Sequence, residues 1–186
     1  MKKILMMLVM TGTACGAVAQ ANPFSAQVKR DYEKVREMMI RSAEKMPEGE
    51  YGFKPTPEVR SFGQIVGHIA DDQYNLCGPV RGDVREGDDG RIEKTVHGKD
   101  ALVVELRKAF AYCDAAYAGL TDASAMEKMT AFGAMRTRYS LLEWNMWHTW
   151  EHYGNLVVYL RMKGLVPPSS EPAKPQLKLI AEPPKK

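Results

Sequence analysis

The stretch from His148 to Leu156 reads HTWEHYGNL, and it places two histidines four residues apart in a long apolar helical segment. Side chains at positions i and i+4 lie one above the other on the same helix face. Two imidazoles at this spacing can bind one divalent cation, and a third from a neighbouring helix would complete a three-nitrogen site. The pattern therefore suggests a metal centre that keeps open coordination positions.

The helix that carries these histidines is predicted to run from about Ser140 to Lys163. A capping-box pattern, Ser140 to Glu143, begins it, and Gly164 lies where a left-handed C-terminal cap is expected. The side opposite the histidines is also apolar and carries Met146, Trp150, Tyr153 and Val157. A helix that is apolar all round is normally enclosed by other helices or by a second subunit. This is the basis for expecting a homodimer.

Three earlier segments have the periodicity of amphipathic helices, and none predicts a convincing strand, so the predicted fold class is all-α. These helices are expected at about 25–46, 61–80 and 100–120. The second begins with another capping box, Ser61 to Gln64. Residues 81–99 are predicted to form a long surface connection, and 126–129 a short helical turn.

His68, on the second predicted helix, is the candidate third metal ligand, and Asp72 follows it one turn later. Asp72 could be a fourth ligand, a hydrogen-bond acceptor for an imidazole, or a general base, which is the role we favour. Asn145 and Asn155 share the histidine face, where they could orient a ligand or bridge helices. The alternative is that the histidines are core residues and Asp72 a solvated acid. His97 is predicted to be exposed in a loop.

Residues 148–152 also match the H-x-x-E-H pattern of the inverted zinc peptidases, with Glu151 as general base. Those enzymes are much longer chains that mix helices and sheets. Because no strands are predicted here, we disfavour this interpretation.

The N-terminus predicts the cellular compartment. Lys2 and Lys3 precede an apolar run and a small-residue triplet that ends at Ala19, which is typical of a signal peptide over residues 1–19 cleaved before Gln20. The mature protein is therefore expected in the periplasm or secreted. The apolar run is too short to cross a bilayer, so no permanent membrane span is predicted. Lipidation at Cys15 is the alternative.

Two cysteines remain after the predicted cleavage, in an exported setting where a disulfide can form. Cys77 lies about 16 residues into the second predicted helix and Cys113 about 13 into the third. If these helices run parallel, as the long connection permits, the cysteines are nearly level. They should then be close enough to be cross-linked, whether or not they form a bond.

The predicted domain organisation is a leader over 1–19, one helical bundle over 20–168, and a mobile Pro- and Lys-rich tail over 169–186. Removing the leader lowers the formal charge from +3 to +1. A near-neutral chain without clustered basic residues gives no electrostatic basis for binding nucleic acid.

Two segments resemble signatures of one family. SFGQIVGHIA at 61–70, preceded by Phe53-Lys54-Pro55, is similar to the second-helix signature of DinB-like (DinB/YfiT) proteins. HTWEHYGNL at 148–156, followed by RMKGLVPP at 161–168, is similar to their fourth-helix signature. The resemblance covers roughly Ser25 to Ser169.

The resemblance implies an up-down-down-up four-helix bundle and a divalent metal, commonly zinc or nickel, held by His68, His148 and His152. Some relatives are transferases and isomerases that use mycothiol or bacillithiol, cytosolic thiols that an exported protein would not meet. Our hypothesis is an exported metal-dependent hydrolase or transferase of an unknown small molecule. The alternative is a non-catalytic metal-binding or self-associating bundle.

Overall fold

A computed structural model describes residues 22–83 and 90–172 of the chain, so the predicted signal peptide and residues 173–186 lie outside it. Four long helices form a bundle: α1 (Pro23–Lys45), α2 (Phe62–Arg81), α4 (Lys99–Ala118) and α5 (Arg138–Met162). Between them lie a short helix, α3 (Arg91–Thr95), and two strands, β1 (Lys128–Ala131) and β2 (Ala134–Thr137). Single 3-10 turns occupy Glu48–Glu50, Ser124–Met126 and Pro168–Ser170.

Helices α2 and α4 run parallel. Near their starts Gly63 packs against Leu102, and near their ends Cys77 is bonded to Cys113. The Cα atoms of the two cysteines are 5.4 Å apart, within the usual range for a disulfide. The predicted register and cross-link are therefore confirmed, and the bond is formed.

Helix α5 runs antiparallel to α2. The hydroxyl of Tyr159, near the end of α5, donates to the carbonyl of Arg60, just before α2 begins, at 2.7 Å. At the other end, Arg138 Nη1 donates to the carbonyl of Val80 at 2.8 Å. Helix α1 is antiparallel to α4, since Glu44 near its end pairs with Arg107 and Ser25 near its start bonds to Asp122, just past α4. The connectivity is therefore up-down-down-up, as predicted.

A buried polar network fixes the relative height of three helices. Asn145 Nδ2 donates to Gln73 Oε1 at 3.0 Å, Gln73 Nε2 donates to Thr149 Oγ1 at 3.3 Å, and the Tyr117 hydroxyl donates to Asn145 Oδ1 at 3.0 Å. A sliding motion of α5 along α2 would leave these buried groups unpaired, which is costly. Asn145 thus bridges helices, one of the two roles considered from the sequence.

The predicted ends of the helices are partly correct. The Ser61 capping box is present, with Gln64 N donating to Ser61 Oγ at 3.2 Å and Ser61 N to Gln64 Oε1 at 2.8 Å. Gly164 is left-handed, at φ 70°, as predicted. The predicted capping box at Ser140 is wrong, because α5 begins two residues earlier and Thr137 Oγ1 accepts from Ser140 N at 3.0 Å.

The prediction that the chain has no strands is wrong for residues 128–137. Strands β1 and β2 pair antiparallel, with Ala131 opposite Ala134, so Phe132 and Gly133 form the turn. Both turn residues have positive φ, 51° and 70°. Positive φ at both positions is characteristic of the two-residue turns that match the twist of a hairpin. The expected helical turn at 126–129 is replaced by a 3-10 turn that ends at Met126 and by the start of β1.

The prediction that 81–99 is only a surface connection is also wrong. Helix α3 forms within it, and Ile92 is fully buried against the core. The Asp71 carboxylate, on α2, accepts from the backbone N–H groups of Ile92 and Glu93, both at 2.9 Å. Because these amides have no partner within their own helix, Asp71 caps α3 and holds it against α2.

The apolar outer side of α5 is covered in part by the same chain. Tyr153 is buried, and Met146, Trp150 and Val157 are half-buried against the core. Three large apolar side chains of α5 stay at least half exposed: Trp147, Val158 and Met162. Enclosure by other helices therefore accounts for most of the apolar character that suggested a dimer.

The prediction that the chain is mobile from Ser169 is wrong for Ser169 and Glu171, and residues 173–186 lie outside the described part of the chain. Ser169 N donates to the Tyr153 hydroxyl at 2.9 Å, and the Glu171 carboxylate pairs with Arg41 and Lys45 on α1. Two cations on one carboxylate explain why this segment docks, and they lower the pKa of Glu171.

Among the helices in the described ranges, none is long and apolar enough to cross a membrane.

Candidate metal centre

Three histidines from two antiparallel helices converge between α2 and α5. One nitrogen from each of His68, His148 and His152 lies within 4.8 Å of the other two. The Nε2 atoms of His148 and His152 are 3.0 Å apart. Two nitrogens bound to one zinc ion at 2.0–2.1 Å can be at most about 4.2 Å apart, so at most a small side-chain rotation brings all three to one point.

Burial keeps two of these imidazoles neutral. It is the main cause that lowers the pKa of His152 to about 3, and the neighbouring His148 and His68 lower it further. Burial also lowers the pKa of His148. A neutral imidazole has a free nitrogen lone pair near pH 7, which is the form that binds a metal.

The second nitrogen of each imidazole lies against a polar side chain. His68 Nδ1 is 3.4 Å from Glu93 Oε2, and His148 Nδ1 is 3.2 Å from Asp72 Oδ2. Nδ1 of His152 is 3.3 Å from Nδ2 of Asn155. Rotation of this amide group by 180° would place its oxygen there instead, where it can accept a hydrogen bond from the His152 Nδ1–H. For His148 and His152 these contacts leave Nε2 as the free nitrogen, an arrangement typical of metal-binding histidines, whereas His68 has a carboxylate oxygen beside each ring nitrogen. The donor set thus fits zinc or nickel, both of which accept imidazole.

Asp72 lies at the centre of the site. Its Oδ2 atom is 3.1 Å from His68 Nε2 as well as 3.2 Å from His148 Nδ1. An oxygen this close to a ligand nitrogen can orient the imidazoles, join the coordination sphere or accept a proton from a bound molecule. The structure therefore places Asp72 with the histidines, while its role as a base stays a prediction.

Glu93 is the site residue that sequence reasoning missed. It lies on α3, and its other oxygen, Oε1, accepts from Arg60 Nε at 2.8 Å. Its position depends on close packing, because a Cβ at Gly67 would lie only 2.8 Å from the Glu93 Cα. A glycine one residue before His68 therefore lets α3 approach α2 and bring the carboxylate to the imidazole.

Two residues considered from the sequence do not join the histidines. His97 is exposed in the connection between α3 and α4, as predicted. Glu151, the base in the inverted-peptidase interpretation, is exposed on α5. It is not part of the cluster that the described residues form at the three histidines.

Two clefts flank the histidines. One of about 240 Å³ is bounded by His68, Asp72 and His148, and another of about 310 Å³ by Arg60, His152 and Asn155. A larger cleft of about 670 Å³ lies beyond Glu93 and reaches Tyr51 and Leu102, but none of the three histidines lines it. Of these three clefts, the two smaller ones contact the three histidines and are therefore the candidate binding sites for a small molecule.

Replacing Glu93 with glutamine is expected to lower zinc affinity about tenfold, because His68 loses a charged acceptor for its Nδ1–H. Competition with a chromogenic chelator measures the change. Glu151→Gln, which removes an exposed charge beside His152, is the matched control and should leave affinity unchanged. Equal losses in both variants would show a general charge effect instead of an orienting role.

Comparisons with known proteins agree with this architecture. The family model for the DinB superfamily matches residues 31–156. The DinB-like protein YjoA from Bacillus subtilis is 24% identical, with 74% of this chain and 92% of that chain covered and a TM-score of 0.60. A DinB-like protein from Bacillus cereus is 14% identical, with 77% and 95% covered and a TM-score of 0.65.

A third solved structure is YfiT from Bacillus subtilis, described as a probable metal-dependent hydrolase with an unusual four-helix bundle topology. It is 16% identical, with 80% of this chain and 92% of that chain covered and a TM-score of 0.60. At these identities the structures show a shared fold. Among curated proteins, none matches the sequence of this chain.

Proposed function

The chain belongs to the DinB superfamily, and from that premise we propose that it is a metal-dependent hydrolase or transferase that acts on a small molecule. The observation that carries the proposal is the convergence of His68, His148 and His152 beside the carboxylate of Asp72. The description of YfiT as a probable metal-dependent hydrolase supports it.

The three imidazoles would hold zinc or nickel through Nε2, and Glu93, Asp72 and Asn155 would fix their orientation. A bound divalent ion would supply Lewis-acid chemistry, by polarising a substrate oxygen or lowering the pKa of a water. Because the three imidazoles are neutral ligands, they would leave the full charge of the ion available for this purpose.

Asp72 would be the proton acceptor. Its Oδ2 atom faces the point where the imidazoles meet, and the site lies at the edge of a cleft that a small molecule can enter. A carboxylate in this place can take a proton from a nucleophile at Oδ2 and return it to the leaving group.

The test of this proposal compares the zinc-loaded protein with its Asp72→Asn variant on a panel of 4-nitrophenyl esters, lactones and amides. We expect zinc-dependent turnover of at least one compound and a loss of about 100-fold or more in the variant, since general bases contribute 10²–10⁴-fold. Both proteins are assayed at a zinc concentration that saturates them, as zinc content measured in parallel would verify, so that the loss reports the proton acceptor and not weaker metal binding. Stoichiometric zinc without turnover of any compound would favour the non-catalytic alternative.

We also propose export, which the leader-like N-terminus and the Cys77–Cys113 disulfide support, because disulfides persist in oxidising compartments. Full-length protein expressed with its leader should be recovered outside the cytoplasm with Gln20 as its first residue, as N-terminal sequencing would measure. A first residue at a lipid-modified Cys15 would instead establish a lipoprotein, and an uncleaved Met1 would exclude processing.

The alternative, a self-associating bundle, is favoured by the exposed apolar side chains Trp147, Val158 and Met162 on one helix. A homodimer through this face would have twice the monomer mass in light scattering, and Val158→Glu should restore the monomer. A monomer at all concentrations would remove this alternative.

A further inference from the structure

We propose that the metal centre opens onto an aromatic subsite, and that its ligand is a small molecule in which a single aromatic ring is joined to a metal-binding oxygen group. The inference rests on the proposed function and names the substrate class of the same site. It is carried by the cleft of about 240 Å³ beside the metal centre.

The walls of this cleft differ in chemistry. His68, Asp72 and His148 line the end at the metal centre, and the rest of the lining is mainly apolar, with Leu76, Phe132 and Trp144 beside one amide, Asn75. A molecule in the cleft would therefore meet the metal ligands at one end and aromatic rings at the other. Small-molecule sites commonly combine an apolar lining with a few converging polar groups.

The rings are arranged in sequence toward the metal centre. Phe132 and Trp144 meet edge to face, with ring centroids 5.5 Å apart. Trp147 lies 6.4 Å from Trp144 and 6.0 Å from the His148 ring. The Arg136 guanidinium lies 5.1 Å from the Trp144 centroid and helps to fix that indole. The aromatic wall is therefore built on both the hairpin and α5.

Phe132 is held in an unfavourable conformation. It has φ 51°, in the left-handed region that costs roughly 1–2 kcal/mol for residues other than glycine, and asparagine or glycine is usual in such a turn. The residue is 54% exposed, so the contact of its ring with Trp144 offsets only part of that cost. A strained residue at the edge of a site indicates a functional constraint. The hairpin turn requires the positive φ, and the use of phenylalanine at this position places an aromatic ring at the edge of the cleft.

The size of the cleft limits the ligand. At about 240 Å³ it is smaller than the 300–1,000 Å³ typical of drug-sized ligands, so one ring with a short polar group suits it. A ring can meet Phe132 and Trp144 edge to face at the usual 4.5–7 Å between centroids while its oxygen group reaches the metal.

The test uses two hydroxamates that bind a metal through the same group. Benzohydroxamate carries one aromatic ring, and acetohydroxamate carries a methyl group in its place. Calorimetric titration of the zinc-loaded protein should give about tenfold tighter binding of benzohydroxamate. Phe132→Asn should reduce that preference to about twofold, and Trp144→Leu should act in the same direction. Neither variant should change zinc content or acetohydroxamate affinity.

The variants distinguish recognition from stability. Asparagine suits a left-handed turn, so Phe132→Asn should fold at least as stably as the unaltered chain. Met135→Asn, an exposed change on the same hairpin, is the matched control and should keep the full preference. Equal affinities for both compounds, or an unchanged preference in Phe132→Asn, would overturn the aromatic subsite. Failure of both compounds and of zinc itself would overturn the proposed metal centre.

Discussion

Replacing His148 with alanine should lower the affinity for zinc by at least about 100-fold, because loss of an orienting group alone costs 10–100-fold and here a ligand is lost. The Nε2 atom of His148 lies 3.0 Å from that of His152, and its Nδ1 contacts Asp72, so its removal disturbs two other site residues. The metal retained after dialysis, measured by mass spectrometry, checks the expectation.

The helices should remain folded in the His148→Ala variant. The His148 side chain is half-buried at the edge of a cleft, and the surrounding core is formed by fully buried apolar residues such as Ile69 and Leu156. Far-UV circular dichroism should therefore be unchanged. His97→Ala removes an exposed histidine and serves as the matched control. If the triple alanine variant of His68, His148 and His152 binds zinc as well as the unaltered chain, the three residues are core histidines.

Among the variants considered, removal of the Cys77–Cys113 disulfide should cause the largest decrease in the free energy of unfolding. Cys77 and Cys113 are 36 residues apart in the sequence, and closing a loop of that length restricts the unfolded chain by about 4 kcal/mol. For a domain of this size, that loss corresponds to a decrease in melting temperature of roughly 10 °C. Thermal unfolding of the Cys77→Ala/Cys113→Ala variant, with and without a reductant, measures it.

The reductant is the internal control. It should lower the melting temperature of the unaltered protein toward that of the variant, and it should leave the variant unchanged. Both sulfurs are fully buried, so free thiols are counted after denaturation without reductant, and residues 20–186 should then contain none. Two reactive thiols per chain and a melting temperature that does not respond to reductant would contradict the cross-link.

Local patterns predicted the parts of the fold that depend on nearby residues. The spacing of apolar side chains located four helices, and Ser61 and Gln64 form a capping box that can be recognised from four residues. Gly164 ends α5 because Leu165 N donates to the Leu160 carbonyl at 2.9 Å, which requires a left-handed residue between them. Helix geometry placed the two cysteines level on condition that α2 and α4 run parallel, and the structure meets that condition.

The parts that were missed depend on contacts between distant residues. Helix α3 has five residues, too few to be stable alone, and it forms because Asp71 caps it and Gly67 admits it. The hairpin turns at Phe132, where the usual Asn-Gly signal is absent. Because β2 ends at Thr137, that residue caps α5 in place of Ser140. No local signal identified Glu93, since its role depends on the placement of α3.

The convergence of the three histidines combines a local property with a long-range one. The i, i+4 spacing of His148 and His152 is a local property of one helix, whereas the position of His68 depends on the height of α2 relative to α5. The buried Gln73–Asn145 hydrogen bond fixes that height. From the sequence, only the resemblance to DinB-like proteins implies that His68 lies beside the other two histidines.

X-ray diffraction from crystals of zinc-loaded protein, recorded at the zinc absorption edge, would show whether the three histidines bind one divalent ion. We expect a single anomalous peak about 2.0–2.1 Å from the Nε2 atoms of His68, His148 and His152. No peak between α2 and α5, or a peak only at the exposed His97, would contradict it.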